Sequence, residues 1–213
     1  MTAPSTLPRL FLIADGFASG RGRRSPEAVC ERVFRLVEAG VEAVQLRDHG
    51  VAPEGFARAA LPFSATLRAL NPAMVLTVNT HAAVARLLGA GLHVGRRGPG
   101  VAAARRGAGN APLGVSVHTV EEAREAAEAG ADFVFLSPIF PTASHPGTPG
   151  LRTEPIRRAA EAAGPVPVFA LGGVTPKRAG ACRRAGAHGA AVLSGLLDAP
   201  DPLAALRAYQ AAL

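Results

Sequence analysis

The stretch that decides the fold is Phe169-Ala-Leu-Gly-Gly-Val-Thr-Pro-Lys177. The short apolar run from Val166 to Leu171 predicts a buried strand, because it lies between Pro165 and a pair of glycines. Thr175 and Pro176 then predict the start of a helix, with Thr at the N-cap and Pro at the first helical position. Glycines between a strand and a helix N-terminus let backbone N–H groups approach an anion, which the helix dipole also favours. The stretch therefore predicts a strand, an anion-binding turn and a helix.

The following segment repeats this arrangement. Ala190-Ala-Val-Leu-Ser-Gly195 predicts a strand that ends at Ser194 and Gly195, about twenty residues after the first turn. Paired phosphate-binding turns after the last two strands are typical of (β/α)8 barrels. An alternative is that the glycines only form tight turns. The pair in this order favours phosphate binding, and the predicted phosphate-binding residues are Gly172, Gly173, Ser194 and Gly195.

Outward from these turns, strands and helices are predicted to alternate along the whole chain. The predicted strands are 9–15, 42–46, 73–78, 91–94, 113–116, 133–136, 166–171 and 189–193. The predicted helices are 26–39, 53–70, 81–88, 101–106, 119–129, 154–163, 176–185 and 202–212. Strict alternation implies a parallel sheet, and closure into a barrel removes its edges. A doubly wound open sheet is the alternative, but its G-x-G-x-x-G fingerprint is missing after the first strand.

The predicted fold class is therefore α/β, with residues 1–213 forming a single (β/α)8 barrel domain whose active site lies at the C-terminal strand ends. Hydrophobic residues make up 48% of the chain and aromatic residues only 5%, so we expect a core of Ala, Val and Leu. No apolar run approaches the length of a membrane span, and the first nine residues lack a signal-peptide core. Cys30 and Cys182 are isolated and form no disulfide framework. We expect a cytoplasmic protein with no membrane partner.

The net charge of +7 does not indicate a nucleic-acid partner. Lys177 is the one lysine among 23 basic residues, and the arginines are scattered over many predicted helices. No basic run is interleaved with aromatic residues, and no nucleic-acid motif is present. A mild preference for anionic ligands still follows from the charge.

Polar side chains are concentrated at the predicted C-terminal strand ends. They are Asp15, Gln45, Arg47, His49, Asn79, His81, His93, Ser116, His118, Ser137, Thr142, Ser144 and His145. Five of the six histidines belong to this set, and histidine titrates near neutral pH, so the pattern indicates acid–base chemistry. A metal site built from these five histidines is an alternative, although their spacing matches no standard ligand motif.

An ordered set of motifs, from about Leu10 to Gly195, resembles the thiamine phosphate synthase/TenI superfamily. The motifs are Gln45-Leu-Arg47, Asn79, Gly91-Leu-His-Val-Gly95, Gly114-Val-Ser-Val-His118, Glu121-Glu122, Gly130-Ala-Asp132, Pro138-Ile-Phe-Pro-Thr142, Gly172-Gly173 and Ala191-Val-Leu-Ser194. The resemblance implies a (β/α)8 barrel that binds a thiazole phosphate at its two glycine turns. It also implies a set of substrate-binding residues, namely Gln45, Arg47, His49, Asn79, Ser116, Thr142 and Ser144.

The chain departs from the synthase pattern where the synthases hold magnesium and pyrophosphate. Thr80 and Gly98 stand in place of two magnesium-binding aspartates, and His49 and His145 stand in place of two lysines. The chain thus lacks hard oxygen ligands for magnesium and permanent positive charge for a pyrophosphate leaving group. We therefore expect no synthase reaction and no cofactor, with magnesium required only if the chain is a divergent synthase.

The TenI branch of the superfamily aromatises a thiazole carboxylate phosphate by proton transfer, without a metal, and resemblance to it gives the leading hypothesis of a thiazole tautomerase. The histidine that serves as base in that branch corresponds to Pro138 here, so the candidate bases are His145, His118 and His81. Gln45 and Arg47 are expected to hold the substrate carboxylate. The alternatives are a divergent synthase with histidines in place of lysines, and a non-catalytic protein that binds a phosphate ligand. The sequence leaves the oligomeric state open and is compatible with a homo-oligomer.

Overall fold

A computed structural model of the chain describes residues 7–20, 24–95, 98, 100–142, 147 and 149–213. Its strands are β1 (Leu10–Asp15), β2 (Ala43–Arg47), β3 (Val75–Asn79), β4 (Gly91–Val94), β5 (Leu113–Val117), β6 (Phe133–Leu136), β7 (Val168–Leu171) and β8 (Gly189–Val192). Its helices are α1 (Pro26–Glu38), α2 (Pro53–Leu70), α3 (Ala82–Leu87), α4 (Val101–Ala108), α5 (Val120–Glu128), α6 (Glu154–Ala163), α7 (Pro176–Arg184), α8 (Ser194–Leu197) and α9 (Pro202–Ala212).

The eight strands form a closed parallel barrel in chain order. Each strand pairs with the next, and β1 pairs with β8 in the register Leu10 to Ala190. Because all strands run the same way, their C-terminal ends lie on one rim of the barrel. The predicted (β/α)8 barrel is confirmed. Within the described ranges, every helix is too short or insufficiently apolar to span a membrane.

Two layers of apolar side chains follow from the alternation along each strand. Leu10, Leu12 and Ala14 of β1 belong to the layer between the barrel and its helices, while Phe11 and Ile13 point into the barrel. The interior is filled by four phenylalanines whose ring centroids lie 5.1 to 6.0 Å apart, namely Phe11, Phe133, Phe135 and Phe169. The expected core of Ala, Val and Leu predominates outside the barrel, together with Phe17, Phe56, Phe63 and Tyr209. It is wrong inside the barrel, where four phenylalanines fill the centre.

The helix caps explain several of the boundaries. Ser25 accepts a hydrogen bond from the backbone of Ala28 at the start of α1, and Thr119 accepts one from Glu122 at the start of α5. Thr175 occupies the N-cap of α7 as predicted, without a side-chain capping bond. Helix α8 was not predicted, because its four residues are too few to show a helical pattern.

Candidate active site

A cavity with two connected lobes lies at the C-terminal strand ends. We call the first the glycine lobe, and its lining includes Thr142, Gly172, Gly173, Ser194 and Gly195. We call the second the polar lobe, and its lining includes Gln45, His49, Asn79, Thr80, Ser116 and His118. Both lobes are lined by Ile13, Arg47, Ser137 and Leu171, so they form one continuous site. The structure thus brings the two predicted glycine turns together with most of the predicted substrate-binding residues.

The glycine pair after β7 is held against the loop that follows β6. The backbone N–H of Ile139 donates to the carbonyl of Leu171 at 2.9 Å, and that of Phe140 donates to Gly172 at 3.0 Å. Gly172 and Gly173 have φ angles of +92° and +61°, which residues other than glycine rarely adopt. The close packing of this loop gives the glycines a structural reason to be present, in addition to any ligand.

The second turn begins helix α8 at Ser194, whose exposed side chain lines the glycine lobe. Gly195 packs against the hydroxyl group of Tyr209, where a side chain would collide. Tyr209 is fully buried and donates a hydrogen bond of 2.8 Å to the carbonyl oxygen of Val174, in the other turn. Helix α9 therefore supports both turns from behind.

Two side chains of β2, at the polar lobe, each have one buried N–H group that lacks an acceptor among the described residues. Gln45 is 2% exposed, and its Nε2 has no hydrogen-bond partner among the described residues. Arg47 donates from Nη2 to Asp15 at 3.1 Å, while its buried Nε is also without a partner there. Because a buried donor without an acceptor is costly, these atoms are candidate donors to a ligand that carries acceptor atoms.

His118 is fixed by its surroundings in a form suited to accept a proton. Its Nδ1 lies 2.7 Å from the carbonyl oxygen of Ser137, and its backbone N–H donates to Glu122 at 2.6 Å. Since a carbonyl oxygen only accepts hydrogen bonds, Nδ1 carries a hydrogen. Whenever the ring is neutral, Nε2 is therefore the nitrogen that can accept a proton. His118 is half-buried and lines the polar lobe.

His93 lies beneath the polar lobe. The side chain is 2% exposed, and its Nε2 lies 2.9 Å from the hydroxyl oxygen of Ser116. Burial, assisted by the nearby charge of Arg47, lowers the pKa of His93 to about 3. The imidazole is therefore neutral near physiological pH.

The other predicted residues are placed as follows. His49 is exposed and lines the polar lobe. His81 opens α3 and packs its ring against Phe56, with the ring centroids 4.7 Å apart, and it lines neither lobe. Burial lowers the pKa of His81, an effect that Glu54 opposes. Ser144 and His145 lie outside the described residues.

Three carboxylates near this rim are engaged by protein groups. Asp15 pairs with Arg47, and Glu122 accepts from the backbone of His118. Asp48 is buried and accepts from the backbone N–H groups of Ala18 and Ser19, and from the hydroxyl of Ser19 at 2.6 Å.

The residues present therefore do not fit a magnesium site, since Thr80 and Gly98 add no carboxylate. In the described part of the chain, no three His, Cys, Asp or Glu side chains come together as metal ligands, which also argues against a site built from histidines.

Some lining residues were not assigned to the site from the sequence. Ile13 and Leu171 form an apolar floor, continuing the inward-facing sets of β1 and β7 that begin at Phe11 and Phe169. Their positions two residues along each strand are the signal that identifies them. Asp15 and Ser137 stood among the strand-end residues, but only the structure reveals their bonds to Arg47 and His118.

Comparison with known proteins identifies the family to which the chain is similar. The sequence model of the thiamine monophosphate synthase family matches residues 17–196. The thiamine-phosphate synthase of Roseiflexus castenholzii is 38% identical over 210 residues, which cover 96% of this chain and 88% of that protein. The thiamine-phosphate synthase of Geobacillus thermodenitrificans is 34% identical over 200 residues, covering 90% and 89%.

Among solved structures, the thiamine phosphate pyrophosphorylase from Pyrococcus furiosus superimposes with a TM-score of 0.80 at 26% identity, covering 96% of this chain and 94% of that one. The family match extends over both glycine turns and over every residue that lines the polar lobe except Ile13. The chain therefore belongs to the thiamine monophosphate synthase family, a family of thiamine-pathway enzymes.

Proposed function

We propose that this chain is a thiazole tautomerase, which aromatises a thiazole carboxylate phosphate by moving a proton. The observation that carries the proposal is the bond from Nδ1 of His118 to the carbonyl of Ser137, at 2.7 Å. This bond leaves Nε2 as the acceptor, in a ring that lines the polar lobe. The absence of carboxylates at Thr80 and Gly98, which does not fit a magnesium site, also suits a reaction that needs no metal.

In this proposal the glycine lobe binds the phosphate. Gly172 and Gly173 precede the N-terminus of α7, where backbone N–H groups and the helix dipole favour an anion. Thr142 and Ser194 line the same lobe, and a hydroxyl group is able to donate a hydrogen bond to a phosphate oxygen.

The substrate carboxylate then lies in the polar lobe with Gln45 and Arg47. Nε2 of Gln45 and Nε of Arg47 are two buried donors on β2 that have no acceptor among the described residues. Two carboxylate oxygens would satisfy both. The carboxylate would bind next to the pair formed by Arg47 and Asp15.

His118 performs the proton transfer. Nε2 takes a proton from the non-aromatic tautomer, and the imidazolium returns a proton to another atom of the same molecule as the double bonds shift. Atoms and charge balance without a second substrate. Ser137 holds the hydrogen on Nδ1 throughout, which keeps the ring in one orientation.

A second candidate is the thiamine-phosphate synthase reaction, and the names of the relatives favour it over the tautomerase. It joins a thiazole phosphate to a pyrimidine pyrophosphate. Thr80 and Gly98 oppose this reading because they replace the carboxylates that the resemblance assigns to magnesium. A non-catalytic binder of a phosphate ligand shares the glycine lobe and is the third outcome of the test.

The test is an assay of the purified protein in two mixtures. The first contains the non-aromatic thiazole carboxylate phosphate and a chelator, and the second contains thiazole phosphate, hydroxymethylpyrimidine pyrophosphate and magnesium. The expected result is aromatisation in the first mixture, reduced by about 10²–10⁴-fold in His118→Asn. Thiamine phosphate formed in the second alone would establish the synthase instead. No product in either, together with calorimetric binding of the thiazole phosphate, would identify a binder.

A further inference from the structure

We propose that His93 is a positioning residue that holds the hydroxyl group of Ser116 as a hydrogen-bond donor to the heterocyclic substrate. The inference rests on the proposed binding of a thiazole carboxylate phosphate in the polar lobe. It assigns a function to a buried histidine that the proton transfer itself does not use.

The ring of His93 has one available position. Gly114 lies directly beneath it on β5, and a methyl group at Gly114 would collide with Nδ1. Phe135 flanks the ring, with the centroids 4.5 Å apart, and Phe133 lies 5.8 Å away. With the ring so confined, Nε2 is directed at Ser116, at 2.9 Å.

The surroundings also decide which nitrogen carries the hydrogen. Nδ1 of His93 is buried and has no partner among the described residues. A buried N–H without an acceptor is more costly than a buried lone pair without a donor. The tautomer with the hydrogen on Nε2 is therefore favoured, and Nε2 donates to the oxygen of Ser116.

The orientation of the serine follows from that bond. A hydroxyl group has one hydrogen to donate, and the oxygen of Ser116 already accepts from His93. Its own hydrogen must then point away from His93, and Ser116 lines the polar lobe. A ligand in this lobe meets a donor directed away from His93, which selects for a heterocycle with an acceptor atom on that side.

The charge state of His93 supports the same role. Burial and the nearby Arg47 hold the pKa of the imidazole at about 3, so the ring is neutral at the pH of the reaction. A neutral ring contributes a directed hydrogen bond and no charge. His93 therefore contributes to binding by orienting the hydroxyl group of Ser116.

The experiment measures the affinity for aromatic thiazole carboxylate phosphate by calorimetry. Ser116→Ala is expected to weaken binding on the order of ten-fold, as for loss of one hydrogen bond to a ligand. His93→Met, which fills the space without a donor, is expected to weaken it to a similar extent. His93→Gln, whose amide can donate near the position of Nε2, should restore most of the affinity.

The double variant His93→Met/Ser116→Ala provides the decisive comparison. If His93 acts through Ser116, the double variant binds as weakly as Ser116→Ala and no more so. Equal loss from His93→Met in the presence and absence of Ser116 would overturn the inference, as would wild-type affinity in Ser116→Ala. The Ser116→Ala variant also decides the case if His93→Met does not fold. Failure of the wild type to bind the probe would instead refute the proposed function.

Discussion

The hydroxyl group of Tyr209 donates a 2.8 Å hydrogen bond to the carbonyl oxygen of Val174, which joins the last helix to the turn after β7. The same hydroxyl packs against Gly195 in the turn after β8. One buried side chain thus sets the spacing of the two turns that line the glycine lobe. This arrangement gives the C-terminal helix a role in ligand binding without contact to the ligand.

Tyr209→Phe should therefore reduce both stability and affinity for phosphate. The variant leaves the carbonyl of Val174 without its donor, which costs about 1–2 kcal/mol of unfolding free energy. Urea unfolding measures this loss, and calorimetry with thiazole phosphate measures the affinity. Arg207→Ala, at an exposed position of the same helix, is the control and should change neither quantity. Wild-type affinity in Tyr209→Phe would show that the turns keep their spacing without this bond.

Gly173→Ala is expected to be more harmful than Gly164→Ala, although the two residues have nearly the same φ angle. Their φ angles are +61° and +60°. A methyl group at Gly164 meets nothing within 4 Å, whereas one at Gly173 would lie 2.6 Å from the carbonyl oxygen of Pro141. Gly164→Ala should thus cost only the strain of its backbone, whose φ of +60° and ψ of −118° suit glycine, about 1–3 kcal/mol. Gly173→Ala should cost a further 1–3 kcal/mol or so, because the loop after β6 must move.

Thermal unfolding of both glycine variants, with and without thiazole phosphate, tests this difference. The ligand should stabilise Gly164→Ala as much as the wild type, and Gly173→Ala much less, because Gly173 lines the glycine lobe. Equal stability of the two variants would mean that the loop accommodates a side chain freely.

His118→Asn and His81→Asn separate the two described candidates for the base. Asparagine keeps an N–H near the position of Nδ1, so the bond to Ser137 can persist while the proton acceptor is lost. We expect turnover of the thiazole tautomer to fall by about 10²–10⁴-fold in His118→Asn. His81→Asn should keep near-wild-type turnover, since its ring packs on Phe56 and lines neither lobe. Full activity in both His118→Asn and His81→Asn would transfer the role to His145.

The barrel could be predicted from the sequence because each βα unit carries its own boundary signals. The bounds of α2, α6 and α9 agree with the prediction, and those helices have Pro in their first turns. The identity of the interior residues could not be predicted in the same way. Strands buried on both faces read as continuous apolar runs, so the sequence does not tell which face holds Phe133 and Phe135.

The sequence predicts that the site lies at the C-terminal strand ends, but it does not predict how the side chains there are oriented. Every strand end reaches the same rim, yet the direction of a side chain there depends on the loop that follows. His118 is turned toward the cavity by its bond to Ser137, whereas His81 packs onto a neighbouring helix. Asp48 illustrates the same limit, because its partner Ser19 lies 29 residues away and belongs to a different loop.

His93 predicts a specific dependence of stability on pH. Its folded-state pKa of about 3 lies below the ordinary value of 6.5, so the unfolded chain binds a proton between these values more readily than the folded chain. Stability from this residue is fully present above pH 6.5 and is lost as the pH falls toward 3. From about pH 7.5 to about pH 5 the loss should be on the order of 2 kcal/mol.

Urea unfolding of the wild type and His93→Gln at the two pH values isolates this contribution. Glutamine does not titrate, so the variant should lose less stability on acidification, and the difference between the two losses is the share of His93. His81 and the carboxylates titrate alike in both proteins and cancel in the comparison. Burial is the larger cause of the low pKa of His93, and the charge of Arg47 is the second. Arg47→Met should therefore raise that pKa and reduce the stability that His93 loses at low pH. Identical pH dependence in the wild type and His93→Gln would mean that the imidazole gains a proton as easily folded as unfolded, and that its ring is not enclosed as the structure has it.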